Sequence, residues 1–203
     1  MNFKLTQEQL MIKQMTENFA IEELLPGVVD RDINKKWPKD QVSKMADLGL
    51  LGIMVEEEWG GNNMDTISYV LAMEEIAKVD ASAAVVMSVN NSLVCSILQK
   101  YGNNEQKKKY LTPLAEGEKL GCFSLSEPQS GSDASNMKTY ATKDGNGYVI
   151  NGTKNWVTNG INSDIIMLFC ITEKGIGYKG ISCFIVDKET KGLSCGKLEE
   201  KLG

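Results

Sequence analysis

Apolar residues in the first half of the chain recur with the 3.6-residue period of helices that bury one face. In the first such segment these positions are Ile12, Met15, Phe19 and Leu24. Thr6 and Gln9 before them have the spacing of a capping box, in which each side chain accepts a hydrogen bond from a backbone N–H. The pattern therefore predicts a helix that begins after Thr6 and is ended or kinked by Pro26.

Further helices are expected along the same half of the chain. Pro38 occupies a position typical of the first residue of a helix, and Asp65, Asp80 and Asn104 can cap the helices that follow them. Glycines, which commonly end helices, follow at Gly49, Gly102 and Gly117. The first half of the chain is therefore predicted to be all-helical.

The helix predicted after Asp80 has almost no polar face, which is typical of a helix buried on most sides. Asn90, Asn91 and Ser92 nevertheless fall in its middle. Buried amides need hydrogen-bond partners, and this leaves two interpretations. Their side chains either bond to neighbouring helices or border a pocket.

After Gly117 the helical period gives way to short runs rich in β-branched and aromatic residues, with turn residues between them. The runs span residues 121–126, 148–150, 156–158, 165–171 and 181–186. Asn151-Gly152 lies between two of these runs, and Asn-Gly is the strongest short-range signal for a β-hairpin. Since no helical segment intervenes, we predict an antiparallel sheet that forms a small barrel or a sandwich.

This change of period divides the chain near residue 118. The predicted fold class is a multidomain α+β protein, in which an all-α helical domain over residues 1–118 precedes a small antiparallel β-barrel or sandwich domain over residues 119–203. The final residues, GKLEEKLG, overlap a strand-like piece at 193–198 and do not resemble a natural end. We therefore expect the β domain to be truncated at its end.

Composition excludes several classes of partner. The chain has 203 residues, is 42% hydrophobic and carries a net charge of −5. This acidic balance disfavours nucleic acid, because phosphate binding needs clustered Lys and Arg. We find no N-terminal signal pattern and no apolar run of the roughly 18 residues that span a bilayer. These features predict a soluble, cytoplasmic protein that binds no membrane.

The histidine and cysteine content limits the catalytic and metal-binding chemistry that the chain can carry. The chain has no histidine, which excludes the commonest general base, every Ser-His or Cys-His nucleophile and the usual zinc sites. No metal site is predicted. The five cysteines show no CxxC spacing and occur at Cys95, Cys122, Cys170, Cys183 and Cys195. Such a set indicates free thiols in a reducing compartment.

Residues 124–133, SLSEPQSGSD, form the first candidate site. Glu127 and Asp133 could act as an acid–base pair, although loop carboxylates usually face water or accept backbone hydrogen bonds. Alternatively, Ser126, Ser130 and Ser132, with Gly131, supply hydroxyl donors and a permissive backbone that can cradle an anionic cofactor. The residues alone leave both interpretations open.

Residues 155–160, NWVTNG, form the second candidate site. A strand here would place Trp156 and Thr158 on one face. An indole beside a hydroxyl can stack on a flat ring and hydrogen-bond its edge. The alternative is a half-buried tryptophan of a β core.

The two candidate sites occur together in a known family. LSEPQSGSD followed by YVINGTKNWVTNG resembles the flavin-binding middle domain of the acyl-CoA dehydrogenases, whose Ser/Thr-Glu-Pro and Gly-Ser-Asp pattern is met by Ser126, Glu127, Pro128, Gly131, Ser132 and Asp133. The family's helical N-terminal domain is resembled by LTQEQLMIKQM, WGG, EEIAKVDASAAVVMSVNNSL and YGNNEQKKKYLTPLAEGEKLG. The resemblance covers essentially the whole chain, and MSVNNSL and GTKNWVTNG are most similar to the short-chain, butyryl-CoA type.

This resemblance implies a reaction, a cofactor and partners. The reaction is oxidation of a saturated acyl-CoA thioester to the trans-2-enoyl-CoA, in which a carboxylate base removes the α proton and hydride passes from the β carbon to N5 of FAD. An electron-transferring flavoprotein then reoxidises the flavin. Full-length members are usually homotetramers.

The resemblance also implies residue roles. The residues implied to bind FAD are Phe123, Leu125, Ser126, Ser132, Trp156, Val157 and Thr158. The first three would meet the pyrimidine side of the isoalloxazine through backbone and hydroxyl groups. Ser132 would also lie near the pantetheine of the substrate, Trp156 would flank the ring, and Thr158 would point towards the N5 edge.

Glu127 is not the family's base. In the short-chain type that base lies in a C-terminal helical domain, which the resemblance places beyond residue 203. We therefore expect the 203 residues alone to be inactive and to retain FAD weakly. Two alternatives remain: a different reaction on the same scaffold, such as that of a flavin-dependent acyl-CoA oxidase or monooxygenase, and a non-enzymatic binding module.

Overall fold

The chain folds as two compact units in a computed structural model that describes residues 4–196 and 198–200. The units divide after Lys119. We call the part up to Lys119 the helical unit and the part from Leu120 to Glu200 the sheet unit. Each unit has buried residues of its own.

The helical unit consists of helices and their connections, as the periodicity predicts. Its α-helices are α1 (Gln7–Phe19), α2 (Val28–Ile33), α3 (Lys39–Asp47), α4 (Thr66–Val79), α5 (Ala81–Ser88), α6 (Ser96–Tyr101), α7 (Asn104–Gln106) and α8 (Thr112–Ala115). Wider π-helical turns continue α1, join α5 to α6 and join α7 to α8, at Ala20–Leu24, Val89–Cys95 and Lys107–Leu111. A short 3-10 turn lies at Glu57–Trp59.

Three of the predicted helix starts are confirmed. The Thr6 hydroxyl accepts the N–H of Gln9 at 3.2 Å, and the Gln9 side chain accepts the N–H of Thr6 at 3.0 Å. Asp65 caps α4 with a 2.7 Å bond from the N–H of Ser68. Asp80 caps α5 through the N–H of Ala83. Short polar side chains therefore satisfy the first free N–H groups of these helices.

Two other predicted helix starts were wrong by one residue. Asn103, rather than Asn104, accepts the N–H of Gln106 at 2.8 Å and completes a second capping box. Pro38 is the residue before α3 rather than its first helical residue. The sequence has two adjacent asparagines at this point, Asn103 and Asn104. They are distinguished only by the reciprocal bond, in which the Gln106 side chain accepts the N–H of Asn103.

The core of the helical unit is formed by aliphatic side chains from its helices and from the segment between α3 and α4. The largest fully buried ones are Leu24, Met45, Leu50, Leu51, Ile53, Ile76, Met87, Leu98, Leu111 and Leu114. Burial of this apolar surface is the main force that holds the helices together.

The helix Ala81–Tyr101 is long and apolar enough to cross a membrane, with a mean hydropathy of 1.6. The expectation that no segment reaches this length was therefore wrong. Of its most apolar 18 residues, 56% are buried inside the protein. That burial favours a core helix, because the same composition is needed to pack on several sides.

Asn90 and Asn91 are hydrogen-bonded within the helical unit, as the first interpretation expected, although most of their partners lie in the segment between α3 and α4 and only Leu114 lies in a neighbouring helix. Asn90 donates to the carbonyl oxygens of Leu51 and Leu114, each at 3.0 Å. Asn91 accepts the N–H of Ile53 at 3.0 Å and donates to the carbonyl of Leu50 and, within its own helix, to that of Met87. The two amides are 0% and 2% exposed, and they tie the segment before α4 to the core helix.

The sheet unit contains five described strands. They are β1 (Gly121–Ser124), β2 (Tyr140–Asp144), β3 (Gly147–Asn151), β4 (Ile165–Ile171) and β5 (Ile181–Asp187). Their order in the sheet is β1-β4-β2-β3, with β5 also paired to β4. Strand β4 is therefore the centre of the sheet.

The predicted antiparallel barrel or sandwich was wrong, because the described strands form an open, mixed sheet. Strand β5 runs antiparallel along the whole of β4, and β2 and β3 form an antiparallel pair. Strand β1 is parallel to β4 over four residues, from Gly121↔Ile165 to Ser124↔Leu168, and β2 meets β4 in parallel at Tyr140↔Ile171. A parallel pair needs a long crossover connection. The connection between β1 and β4, which lies wholly within the described residues, contains the β2–β3 hairpin and a 3-10 turn at Ala134–Asn136, but no α-helix.

The hairpin lies earlier in the chain than Asn151-Gly152. Gly145 and Asn146 connect β2 to β3, and Gly145 has the left-handed φ of 56° that such a two-residue turn requires. Gly152 instead follows the end of β3, where a Cβ would lie 2.2 Å from the Thr139 hydroxyl oxygen. Close packing, not a turn, requires that glycine.

Two other predicted strands are not found. Residues 156–158 form a loop and turn rather than a strand, and Trp156 has a left-handed φ of 57°. The described residues of 193–198 carry no strand either, and residue 197 lies outside the described part of the chain. Apolar content predicted both, but a backbone that leaves the extended region cannot join a ladder.

Candidate functional site

Two segments of the sheet unit, 125–126 after β1 and 154–158 after β3, lie side by side. The N–H of Asn155 donates to the carbonyl of Ser126 at 2.8 Å. The Lys154 ammonium donates to the carbonyl of Leu125 at 2.9 Å. The structure thus brings together SLSEPQSGSD and NWVTNG, which the sequence singled out separately.

The first segment continues the free edge of β1, which pairs only with β4 among the described strands. The N–H of Ile165 in β4 donates to the carbonyl of Leu120, immediately before β1, at 3.2 Å. In a parallel pair every second residue bonds to the same neighbour, so the N–H of Ser124, four residues after Leu120, points towards β4. Phe123 and Leu125 alternate with Ser124, so their N–H groups face the free edge. Two of the residues implied to bind FAD, Phe123 and Leu125, therefore have their N–H groups on this free edge.

The paired segments present hydrogen-bond donors. Within residues 4–196 and 198–200, the N–H groups of Leu125, Ser126, Trp156, Val157 and Thr158 make no hydrogen bond. The hydroxyls of Ser126 and Thr158 make none in that part of the chain either. The carbonyls of Leu125, Ser126 and Val157, by contrast, all accept protein bonds. The site is therefore suited to a ligand with several acceptor atoms on one edge.

Trp156 has an unusual backbone and an exposed side chain. Its φ of 57° lies in the left-handed region, which costs a residue with a Cβ about 1–2 kcal/mol. Its side chain is 60% exposed, so little packing offsets that cost. Strained backbone of this kind is concentrated at functional sites.

Glu127 lies beneath the two segments and is 4% exposed. One carboxylate oxygen accepts the Lys154 ammonium at 2.8 Å and the N–H of Thr139 at 3.0 Å. The other accepts the N–H of Lys138 and the side-chain amide of Gln129, each at 2.6 Å. Burial raises the pKa of Glu127, but the hydrogen bonds from Lys154, Thr139 and Lys138 outweigh it and lower the pKa to about 2.

The acid–base interpretation of Glu127 and Asp133 therefore fails. Every lone-pair direction of Glu127 is used, and a carboxyl with a pKa of about 2 is a poor base at neutral pH. Asp133 is exposed and accepts the hydroxyl of Ser135 at 2.5 Å, while its carbonyl accepts the hydroxyl of Ser130 at 2.8 Å. No described contact joins the two carboxylates.

Ser132 is not brought to the paired segments by any described contact. It is exposed, and within the described residues its hydroxyl has no hydrogen-bond partner. Phe123 has a second role, because its ring packs on that of Phe169 with centroids 4.9 Å apart. The implied binding roles of both residues stay predictions.

Lys154 was missed by the sequence analysis, although a signal was present. It is the only charged residue between Asp144 and Asp164, and Glu127 is the only one between Lys119 and Asp133. Lone charges of opposite sign in two otherwise uncharged segments favour a buried ion pair, because a buried charge needs a partner.

Comparison with known families matches both units. The model of the acyl-CoA dehydrogenase N-terminal domain matches residues 6–118. The model of the acyl-CoA dehydrogenase middle domain matches residues 122–203. This chain belongs to the acyl-CoA dehydrogenase family. Its helical unit and sheet unit correspond to these two domains of the family.

Curated acyl-CoA dehydrogenases resemble the chain over its whole length. The short-chain specific acyl-CoA dehydrogenase of Clostridium acetobutylicum is 43% identical over 203 residues, which are 100% of this chain and 54% of that protein. The mitochondrial short-chain specific acyl-CoA dehydrogenase of Homo sapiens is 44% identical over 98% of this chain and 48% of its own length. The chain thus spans about half the length of these relatives.

Solved structures of acyl-CoA dehydrogenases share the fold. Butyryl-CoA dehydrogenase from Megasphaera elsdenii is 40% identical with a TM-score of 0.97, over 100% of this chain and 54% of that one. A chain from a structure of the electron transferring flavoprotein of Acidaminococcus fermentans is 43% identical with a TM-score of 0.97. The match covers 100% of this chain and 53% of that one. A glutaryl-CoA dehydrogenase from Mycobacterium smegmatis in complex with FADH2 is 32% identical with a TM-score of 0.90, over 98% and 50%.

Proposed function

We propose that this chain supplies the flavin-facing and substrate-facing part of an FAD-dependent short-chain acyl-CoA dehydrogenase. The reaction is oxidation of a saturated short-chain acyl-CoA to the trans-2-enoyl-CoA. The observation that carries the proposal is the row of free donors along 125–126 and 156–158 in a member of this family. Relatives named as short-chain or butyryl-CoA dehydrogenases support the chain length of the substrate.

The donor set fits FAD. The pyrimidine edge of an isoalloxazine carries carbonyl oxygens and ring nitrogens that accept hydrogen bonds, and the N–H groups of Leu125 and Ser126 would bind there. The exposed indole of Trp156 would flank the ring, with Val157 and Thr158 supplying donors beside it. FAD, when bound, supplies the acceptor for the hydride that leaves the β carbon.

The residues of this site bind and orient, and they do not move the α proton. Glu127 is held ionised by its bonds, and Asp133 lies in an exposed turn. The proposal therefore keeps the base where the family resemblance places it, beyond residue 203. Ser132 is assigned to the pantetheine of the substrate and to the chain of FAD.

The proposed partners extend beyond the substrate. The resemblance to a chain in a structure of an electron transferring flavoprotein supports such a protein as the electron acceptor. We also propose a homotetramer in the cytoplasm for the protein at its natural length. Analytical ultracentrifugation would report the number of subunits, and a dimer or monomer would contradict the tetramer.

The activity is tested with the protein at its natural length. It should reduce a dye acceptor with butyryl-CoA faster than with octanoyl-CoA, while the 203 residues alone should show no turnover above background. Production of hydrogen peroxide without a dye would indicate an oxidase instead. Bound FAD without oxidation of any straight or branched acyl-CoA would indicate a binding module.

The binding residues are tested through FAD affinity. The double variant Ser126→Ala/Thr158→Ala should bind FAD about tenfold more weakly, since two hydrogen bonds are removed. Its stability without FAD should change by less than about 0.5 kcal/mol, because neither hydroxyl has a protein partner. Thr142→Ala, at an exposed hydroxyl of β2, is the matched control and should bind FAD normally. Unchanged affinity in the double variant would contradict the assignment.

A further inference from the structure

The buried ion pair of Glu127 and Lys154 joins the two halves of the candidate site. The side chains are 2% and 8% exposed, and the ammonium lies 2.8 Å from the carboxylate. Glu127 follows the segment 125–126, and Lys154 begins the segment 154–158. One contact therefore couples two loops that are far apart in sequence.

Lys154 also determines which backbone groups of the first segment stay free. Its ammonium occupies the carbonyl of Leu125 at 2.9 Å, and the next residue, Asn155, occupies the carbonyl of Ser126. With both carbonyls engaged, the free groups of this segment are N–H donors and a hydroxyl. Without Lys154, the Leu125 carbonyl would be a free acceptor in the same place, which would repel acceptor atoms of a ligand.

The carboxylate anchors this arrangement to the sheet. Glu127 accepts the N–H groups of Lys138 and Thr139, immediately before β2. Its own N–H and carbonyl close a tight turn with Ser130, at 2.8 and 3.0 Å. The pair is therefore fixed on one side by backbone of the sheet and holds the ligand-facing segments on the other.

We propose that Glu127 and Lys154 are positioning residues that align the FAD-binding donors of 125–126 with those of 156–158. The inference rests on the proposed function, and neither side chain needs to touch the flavin. It predicts that the pair contributes to FAD binding beyond its contribution to folding.

The decisive variant removes both charges at once. Removing one partner would leave the other charge buried and unpaired and would destabilise the unit strongly, which would confuse a loss of folding with a loss of FAD binding, whereas a neutral pair of similar volume is commonly tolerated. Glu127→Gln/Lys154→Met is therefore expected to remain folded by circular dichroism. The matched control is Asp30→Asn/Lys36→Met, which removes an exposed ion pair of the helical unit with a 2.7 Å contact.

Two measurements test the inference in the folded variant. FAD affinity, followed by flavin fluorescence, should fall at least tenfold, with a shifted flavin absorption maximum. Without FAD, hydrogen exchange of the Asn155 amide should accelerate at least tenfold, because its bond to Ser126 depends on the alignment. The control variant should match the wild type in both measurements.

The outcomes separate this inference from the proposed function. A wild-type protein that binds FAD, together with a folded double variant that binds it equally well and protects Asn155 equally, overturns the positioning role alone. A wild-type protein that binds no FAD overturns the proposed function and this inference with it. A double variant that does not fold would show that the pair is required for folding itself, and the separate positioning role would then be wrong.

Discussion

Polar groups are hydrogen-bonded differently in two regions of the molecule, the helix Ala81–Tyr101 and the paired segments 125–126 and 154–158. In the helix, Asn90 and Asn91 are buried and their amides are bonded to backbone of the same unit. In the paired segments, the N–H groups of 125–126 and 156–158 and the hydroxyls of Ser126 and Thr158 have no hydrogen-bond partner within the described part of the chain. Buried polar groups that are satisfied internally stabilise a fold, whereas accessible donors without a protein partner are available to water or to a ligand.

Glu127 shows that a residue in a binding motif can serve the fold itself, because its polar atoms are bonded within the protein. It lies in the middle of SLSEPQSGSD, yet its carboxylate is as completely bonded as the amide of Asn91. Its neighbour Ser126 has a free hydroxyl and a free N–H. Within one short segment, therefore, a residue that anchors the fold stands next to one with unpaired donors.

Asn91→Ala should produce the largest effect on stability. The change leaves the N–H of Ile53 and the carbonyl of Leu50 buried without their partners and opens a small cavity. We expect the free energy of unfolding in urea to fall by about 4 kcal/mol. FAD affinity of the folded protein should not change.

The control for this prediction is Asn104→Ala, at an exposed asparagine of the same unit. It should cost less than about 0.5 kcal/mol, as surface substitutions usually do. Equal losses in the two variants would mean that the Asn91 bonds contribute nothing net, and the contrast between the helix and the site segments would be lost.

Lowering the pH should reduce the free energy of unfolding of the sheet unit, because Glu127 becomes protonated. Its pKa is about 2 in the folded protein against an ordinary value of 4.5. A lowered carboxyl pKa stabilises the folded state above pH 4.5, and that stabilisation disappears as the pH falls towards 2. The difference corresponds to about 3 kcal/mol.

The contribution of Glu127 is isolated by measuring the free energy of unfolding in urea for the wild type and for Glu127→Gln at each pH and taking the difference. The gap between the two proteins should be about 3 kcal/mol at pH 7 and should close between pH 5 and pH 2. A gap that stays constant across this range would show that Glu127 is not held ionised by its hydrogen bonds.

The sequence predicts the local features of this fold better than its long-range pairings. Caps at Thr6, Asp65 and Asp80 depend on residues three positions apart, and all three were predicted. The parallel pairing of β1 with β4 depends on residues more than forty positions apart, from Gly121↔Ile165 onward, and hydrophobic period does not encode it.

The candidate site was predictable to the extent that its motifs were contiguous. Ser126 and the Trp156 loop were identified from short motifs and a family resemblance. Their juxtaposition involves contacts between residues far apart in sequence, such as that of Glu127 with Lys154, which are 27 positions apart. The left-handed backbone at Trp156 was not predictable, because a tryptophan followed by the β-branched residues Val157 and Thr158 favours a strand.

Trp156→Gly should have the smallest effect on stability, and that effect should be favourable. Glycine adopts a φ of 57° without the cost of about 1–2 kcal/mol that a Cβ imposes, although its freer unfolded chain offsets about 0.5–1 kcal/mol of the gain. We expect the free energy of unfolding without FAD to rise by about 0.5 kcal/mol, while FAD affinity falls because the indole is lost. Asn63→Gly, at an exposed left-handed residue of the helical unit, should not change FAD affinity. If Trp156→Gly instead destabilises the protein by more than 1 kcal/mol, the indole contributes to folding as Asn91 does, and the paired segments are less specialised for a ligand than their free donors indicate.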